Sequence, residues 1–228
     1  MKIILKIIFT ILLCLIIIII INIGYVKTKY SLNNIIKTIE NVNLSNNIHI
    51  YKKINDLNGN TDYKIYIKND IIKISQKTNY FDNTNENIDF DEYITKDSII
   101  TVNHNSKLLS EDKFEFKSLK DYLNNSSYSG NSYFLQLTNK DNYNFKYLGK
   151  INIDEKDCLK FSIININYTY IFYMELESNL IIKTEEYINK DNTLYSTTNY
   201  NYDLNFNDSI EINNLNNYKD YTKIPIEK

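Results

Sequence analysis

From Tyr143 to Leu204 the chain spells one strand after another. The segments YNFKYLGKINI, DCLKFSIIN, YTYIFYMEL, NLIIKTEEYI and TLYSTTNYNYDL alternate apolar with polar residues, a period that sends successive side chains to opposite faces of a sheet. Short polar breaks separate them at Asp154-Glu155-Lys156, Asn165-Ile166-Asn167, Glu177-Ser178-Asn179 and Asn189-Lys190-Asp191-Asn192. Breaks of that length join antiparallel neighbours, because a parallel crossover takes a dozen residues or more. This half of the chain is expected to be a run of adjacent hairpins in one sheet. Alternation groups Tyr168, Tyr170, Phe172 and Met174 on one face, and Leu159, Phe161 and Ile163 on one face of the preceding strand.

The first half repeats the theme. IHIYKKI puts Ile48, Ile50 and Ile54 on one face, DLNGN turns at Asn58-Gly59, and DYKIYIK returns with Tyr63, Ile65 and Ile67, a strong hairpin signal. IIKISQK continues the meander after Asn69-Asp70. Residues 78–91 read as a polar loop, followed by short strands EYIT and SIITVNH around Lys96-Asp97. Between Glu111 and Thr138 the alternation lapses. There FKSLKDYLNN carries Phe116, Leu119, Tyr122 and Leu123 at helical spacing, and SYFLQLT reads as a second short helix. The chain closes with NDSIEI and a polar tail.

The N-terminus is of another kind. Lys2 and Lys6 precede a stretch from Ile7 to Val26 without a charge. In a helix rising about 1.5 Å per residue, such a stretch spans about 30 Å, the thickness of a hydrocarbon core. Residues 1–26 are therefore expected to be a single-pass transmembrane anchor, with the membrane as partner through residues 7–26. A cleaved signal peptide is the rival reading, although its usual small residues before the cut are missing apart from Gly24. Cys14 follows Leu12-Leu13 rather than a small residue, against lipidation. Lys2, Lys6 and the amino terminus against Lys27 and Lys29 give a slight bias toward an extracytoplasmic domain, with a cytoplasmic one as the alternative. Residues 27–42 form a helix or juxtamembrane segment, since Leu32, Ile35, Ile36 and Ile39 recur at helical spacing behind Ser31. Residues 43–228 form a single β-rich domain, with no repeat and no linker to divide it.

Composition narrows the chemistry. The chain contains no Arg, Ala or Trp, but 21 Tyr, a bias toward AT-rich codons that strips aromatic abundance of meaning. Without the anchor's Lys2 and Lys6, 24 Lys face 28 Asp and Glu. A mildly acidic domain without arginine lacks the fork that reads guanine and grips phosphate, so no nucleic-acid partner is expected. Gly24, Gly59, Gly130 and Gly149 stand too far apart for a phosphate-cradling loop. His49 and His104 read as exposed strand residues, and no HxxxH, CxxC or EF-hand spacing occurs, so neither a metal nor a cofactor is expected. Asp89-Phe90-Asp91-Glu92, Asp154-Glu155 and Glu185-Glu186 read as solvated turns, and where such neighbours lie in a strand they face opposite ways and cannot act as a pair. Cys158 reads as a buried thiol with no partner for a disulfide.

Residues 140–205 resemble the LolA-like superfamily of lipoprotein carriers and related lipid-binding proteins. The likeness lies in Tyr147-Leu148-Gly149, Asp157-Cys158-Leu159-Lys160, the turn from Glu175 to Leu180, and Ile182-Lys183-Thr184-Glu185. It covers about a third of the chain, and the family's usual Trp is absent, with Phe172 or Tyr173 near its place. The resemblance implies an α+β fold, mainly antiparallel β: a curved half-barrel sheet with a few covering helices, here preceded by the transmembrane helix. It implies a concave face that holds acyl chains or apolar protein segments, and no catalytic residues.

Two readings of function follow. In the first, a membrane-anchored envelope protein binds an apolar ligand, lipid or lipoprotein, without catalysis, and Leu159, Phe161, Ile163, Tyr168, Tyr170, Phe172 and Met174 line the pocket. In the second, the same faces form a filled core, and the domain is an envelope interaction or sensor module. An enzyme is the least supported, since no nucleophile elbow or catalytic spacing occurs.

Overall fold

The structure is a computed structural model that describes residues 2–42, 47–68, 70–82, 85–116, 118–139, 143–206 and 218–224, the side chains of 2–10, 23, 27, 120 and 124 excepted. It divides into two compact units, 1–41 and 42–228.

The first unit holds helix α1 (Lys2–Lys29) and helix α2 (Leu32–Glu40). Ser31 has the extended backbone of an N-cap, but its side chain makes no capping hydrogen bond. From Ile11 to Ile21 the large apolar side chains of α1 are between 45% and 64% exposed. Among the described residues no helix is long and apolar enough to cross a membrane. The expected span begins at Ile7, before the first described side chain of α1.

The second unit is built on one open, curved, mostly antiparallel sheet. Its strands are β1 (Asn47–Asp56), β2 (Gly59–Lys68), β3 (Ile71–Tyr80), β4 (Ile88–Ile94), β5 (Ser98–Asn103), β6 (Leu108–Lys113), β7 (Asn144–Ile153), β8 (Lys156–Ile164), β9 (Tyr168–Glu175), β10 (Ile181–Ile188), β11 (Thr193–Asp203) and β12 (Thr222–Lys223). They lie in the order β12-β6-β5-β4-β3-β2-β1-β11-β10-β9-β8-β7. Two meanders thus meet where β1 pairs with β11. Strand twist accumulates across a sheet this wide and curls it. The chain passes from β6, beside one edge, to β7 at the other through helices α3 (Leu119–Asn125) and α4 (Gly130–Thr138), which cover one face.

That face holds the main cores. Toward β1–β4, Ile48, Ile50, Ile65, Ile67, Ile72, Ile74 and Ile94 pack under Leu119, Tyr122 and Leu123 of α3. Toward β8 and β9, Phe134 of α4 meets Phe161 and Phe172, each at a ring-centroid distance of 5.3 Å. Burying a phenylalanine side chain fully contributes about 1.5–3 kcal/mol, so these rings anchor α4. A smaller core on the opposite face joins Tyr93, Ile100, Val102 and Leu109 to Tyr218 and Tyr221 from the C-terminal segment.

Several expectations change. The polar loop read over 78–91 is shorter, because β3 runs to Tyr80 and β4 starts at Ile88. The cluster Asp89–Glu92 is therefore strand rather than solvated turn: Asp89 pairs with Lys77, Asp91 with Lys73, and Glu92 accepts from Tyr122. His49 is half-buried and stacked on Tyr66 at 4.3 Å, and His104 is half-buried beside Asp91 and Tyr221. Strands β6 and β12 were not expected. NDSIEI lies outside the described residues. Gly149, in the resembling segment, has φ 116° at the point where β7 slips its register against β8. Only glycine adopts that backbone freely, and the bulge interrupts an edge strand that would otherwise invite pairing.

Candidate functional site

Three short polar contacts pin α4 to the sheet. Tyr202 on β11 accepts from the Gly130 N–H and donates to the Ile181 carbonyl, at 3.1 and 3.0 Å. Strand β10 bulges between Ile181 and Lys183, and the Ile181 N–H donates to Asn131 Oδ1 at 2.8 Å. Ser129 and Ser132 cap the helix reciprocally. A Cβ on Gly130 would lie 2.7 Å from the Ile181 carbonyl oxygen, so the helix start needs glycine to approach β10 this closely.

The expected pocket wall is covered by that helix. Registers pair Leu159 with Met174, Phe161 with Phe172 and Ile163 with Tyr170, which brings all of them to the helix-covered face. Leu159, Phe161, Ile163, Phe172 and Met174 are at most 3% exposed, with Phe134 seated against the two phenylalanines. Tyr168 is half-buried and touches Tyr170. Of the seven, Tyr170 lines an open cavity.

That cavity, about 220 Å³, lies on the same face, where β1, β11 and β10 interrupt the apolar cores with polar residues. Its floor is Ile54, Thr198, Thr184 and Ser196; Tyr133 of α4, Tyr170 and Tyr195 wall one side, and Ser127 closes toward α3. Four residues with ionisable side chains border it: Lys52, Asp56, Glu185 and Glu186.

Lys52 is the unusual one. It sits on the Ile48, Ile50 and Ile54 face of β1, only 7% exposed. Its Nζ donates to the Ser127 carbonyl at 2.7 Å and lies 5.1 Å from the Tyr63 ring and 5.9 Å from the Tyr200 ring. Burial pulls its pKa down to about 8. Among the described residues no carboxylate pairs with it.

The carboxylates differ. Asp56 Oδ1 accepts from the Asn58 and Gly59 N–H groups of the β1–β2 turn. Burial would push Glu185 up, but hydrogen bonds from Lys183 and Tyr173 outweigh it and hold the carboxyl below its ordinary value. Glu186 faces the other way, into the cavity beside a second β10 bulge. Burial raises it, offset in part by a hydrogen bond to Ser196. Burial and then the Glu186 charge push both Tyr133 and Tyr170 up, Tyr170 to about 12.

Among the described residues no group of three His, Cys, Asp or Glu side chains stands ready for a metal ion. Cys158 is buried, and burial pushes its thiol up, away from the thiolate a nucleophile needs. The site residues that sequence reasoning missed are Lys52 and Glu186. The signal for Lys52 was present: it falls in the apolar phase of its strand, where a charge has no solvent to face.

No family model and no curated protein matches the chain. Solved structures do. An uncharacterised conserved protein from Thermus thermophilus aligns at 7% identity over 75% of this chain and 86% of its own, with a TM-score of 0.46. MucB aligns at 9% identity and TM-score 0.46, over 78% of this chain and 60% of MucB, so the chain spans less than two thirds of that protein. A LolA superfamily protein from Nitrosomonas europaea aligns at 8% identity over 75% of this chain and 90% of its own, at TM-score 0.28. The similar structures thus include the family that residues 140–205 resemble. At these identities and TM-scores the likeness says nothing of function, and the fold is defined by the strand order and registers of the chain itself.

Proposed function

We propose that the domain is a non-catalytic binding module for an amphiphile, a lipid or the lipidated end of a lipoprotein, whose charged head enters the cavity at Lys52. Lys52 is the observation that carries this reading. A buried ammonium without a counter-ion costs several kcal/mol, and an anion brought by a ligand would supply the missing partner. The volume of about 220 Å³ lies below the roughly 300–1,000 Å³ of pockets that enclose a whole drug-sized ligand. It suits a head rather than an entire lipid. An acyl chain leaving that head would pass Tyr170 and Tyr168. It would reach Leu159, Phe161, Ile163, Phe172 and Met174 only by displacing Phe134.

The seated Phe134 is what favours the second reading, an envelope interaction or sensor module with a filled core. We further infer that residues 7–26 anchor the chain in the cell membrane in a single pass, with the domain outside the cytoplasm. The uncharged run and the exposed apolar side chains from Ile11 to Ile21 support the anchor, and the slight excess of positive charge at Lys2, Lys6 and the amino terminus supports the orientation.

Calorimetric titration of dihexanoyl phosphatidylglycerol into the full chain, held in a non-ionic detergent, separates the two functions. The binding reading predicts saturable one-to-one uptake, weakened about ten-fold or more in a folded Lys52→Met protein. Equal, unsaturable partition into both proteins would leave the filled-core reading standing.

A further inference from the structure

We infer that the head this cavity takes is zwitterionic, with its anion at Lys52 and an ammonium at Glu186. The inference rests on the Lys52 reading above and extends it to the opposite charge.

Of the four ionisable residues that border the cavity, two are already partnered inside the protein. The Asp56 carboxylate is held by turn N–H groups, and the Glu185 carboxylate by Lys183, Tyr173 and Tyr187. Lys52 and Glu186 remain, one of each sign, and among the described residues neither has an ion-pair partner. They do not serve each other. Lys52 lies opposite Tyr200 and Glu186 opposite Ser196, so the two are on either side of β11 and four residues apart along it. Strand geometry makes that about 10 Å across the sheet and about 13 Å along it between backbone positions.

The surroundings of Glu186 suit a cation. Tyr170 is its cross-strand neighbour, Ser196 its hydrogen-bond partner, and Tyr133 and Tyr195 line the same cavity. Aromatic faces attract an ammonium, more so when it is desolvated. Burial already disfavours the charged carboxylate here, and a bound ammonium would restore it. A purely anionic head would satisfy Lys52 and leave Glu186 alone. A simple amine would do the reverse. An extended head with an acid at one end and an amine at the other, long enough to bridge the cavity, would satisfy both.

The test uses the full chain in a non-ionic detergent at neutral pH with three probes. Dihexanoyl phosphatidylethanolamine carries both charges, dihexanoyl phosphatidylglycerol only the anion, and glycerophosphoethanolamine both charges without acyl chains. The wild-type protein is expected to bind the ethanolamine lipid about ten-fold more tightly than the glycerol lipid. Glu186→Gln should erase that preference while still binding the glycerol lipid. Should Glu186→Gln not fold, Glu186→Asp takes its place, with a reduced preference expected. Glycerophosphoethanolamine binding as well as the lipid would assign the site to free heads; much weaker binding would assign it to the intact lipid. Equal affinity for the two lipids, or a preference untouched by the Glu186 variant, would overturn the zwitterion inference and leave Lys52 as an anion site. Binding of neither lipid would overturn both.

Discussion

Lys52 is the residue on which the proposed binding rests most heavily. Its folded pKa, about 8, lies below the 10.5 of an exposed lysine. The protonated form therefore weighs against the fold. That cost is absent above about pH 10.5, grows as pH falls, and is complete below about 8, where it amounts to about 3 kcal/mol. At neutral pH the side chain is mostly charged, and a bound anion would recover part of the cost. Affinity for an anionic head should be level from about pH 6 to about 7.5, then fall by about ten-fold per unit above about 8 as free Lys52 loses its proton. Calorimetry across that range measures it, and a level profile to about pH 9.5 would remove Lys52 from the site. Lys52 was readable in principle, since IHIYKKI places it in phase with Ile48, Ile50 and Ile54. What the sequence does not reveal is that the strand stays covered there, because Tyr63 across the hairpin is joined by Ser127 and Tyr200, far away in the chain. Glu186 was hidden for the same reason: its cavity is assembled from β1, β9, β10, β11 and α4.

At the scale of elements, local pattern sufficed wherever an element decides its own boundaries. The hairpins from β7 to β11 follow the polar breaks, and α3 and α4 fall on the helical spacing behind the caps Ser118 and Ser129. Pattern failed where pairing decides. Strand β12 has two residues and exists through its pairing with β6, and the first residues of β4 are held by Lys77 and Asn103 across the sheet. Helix α1 poses the remaining question of this scale. Its exposed apolar side chains need a covering, and a bilayer is the cover we propose. The full chain should stay in the membrane pellet after alkaline carbonate extraction, and a chain beginning at residue 28 should not. Release of the full chain by carbonate would contradict the anchor.

At the scale of the molecule, the order of the sheet was not readable from local signals. That β1 should pair with β11, and so join two meanders into one surface, depends on contacts separated by most of the chain. The resemblance over residues 140–205 supplied the expectation of a curved sheet under helices. It could not say that α4 would fill the wall at Phe161 and Phe172 and leave a cavity bordered by Lys52 and Glu186. The apolar wall and the polar cavity meet at Tyr170, which is why a head-first amphiphile fits the whole better than an apolar chain alone. Native mass spectrometry of the full chain, extracted from membranes in a non-ionic detergent, tests this most directly. One retained lipid per wild-type chain, lost in a folded Lys52→Met protein, is the predicted result; lipid-free wild-type protein, or the same lipid retained by the variant, would contradict it.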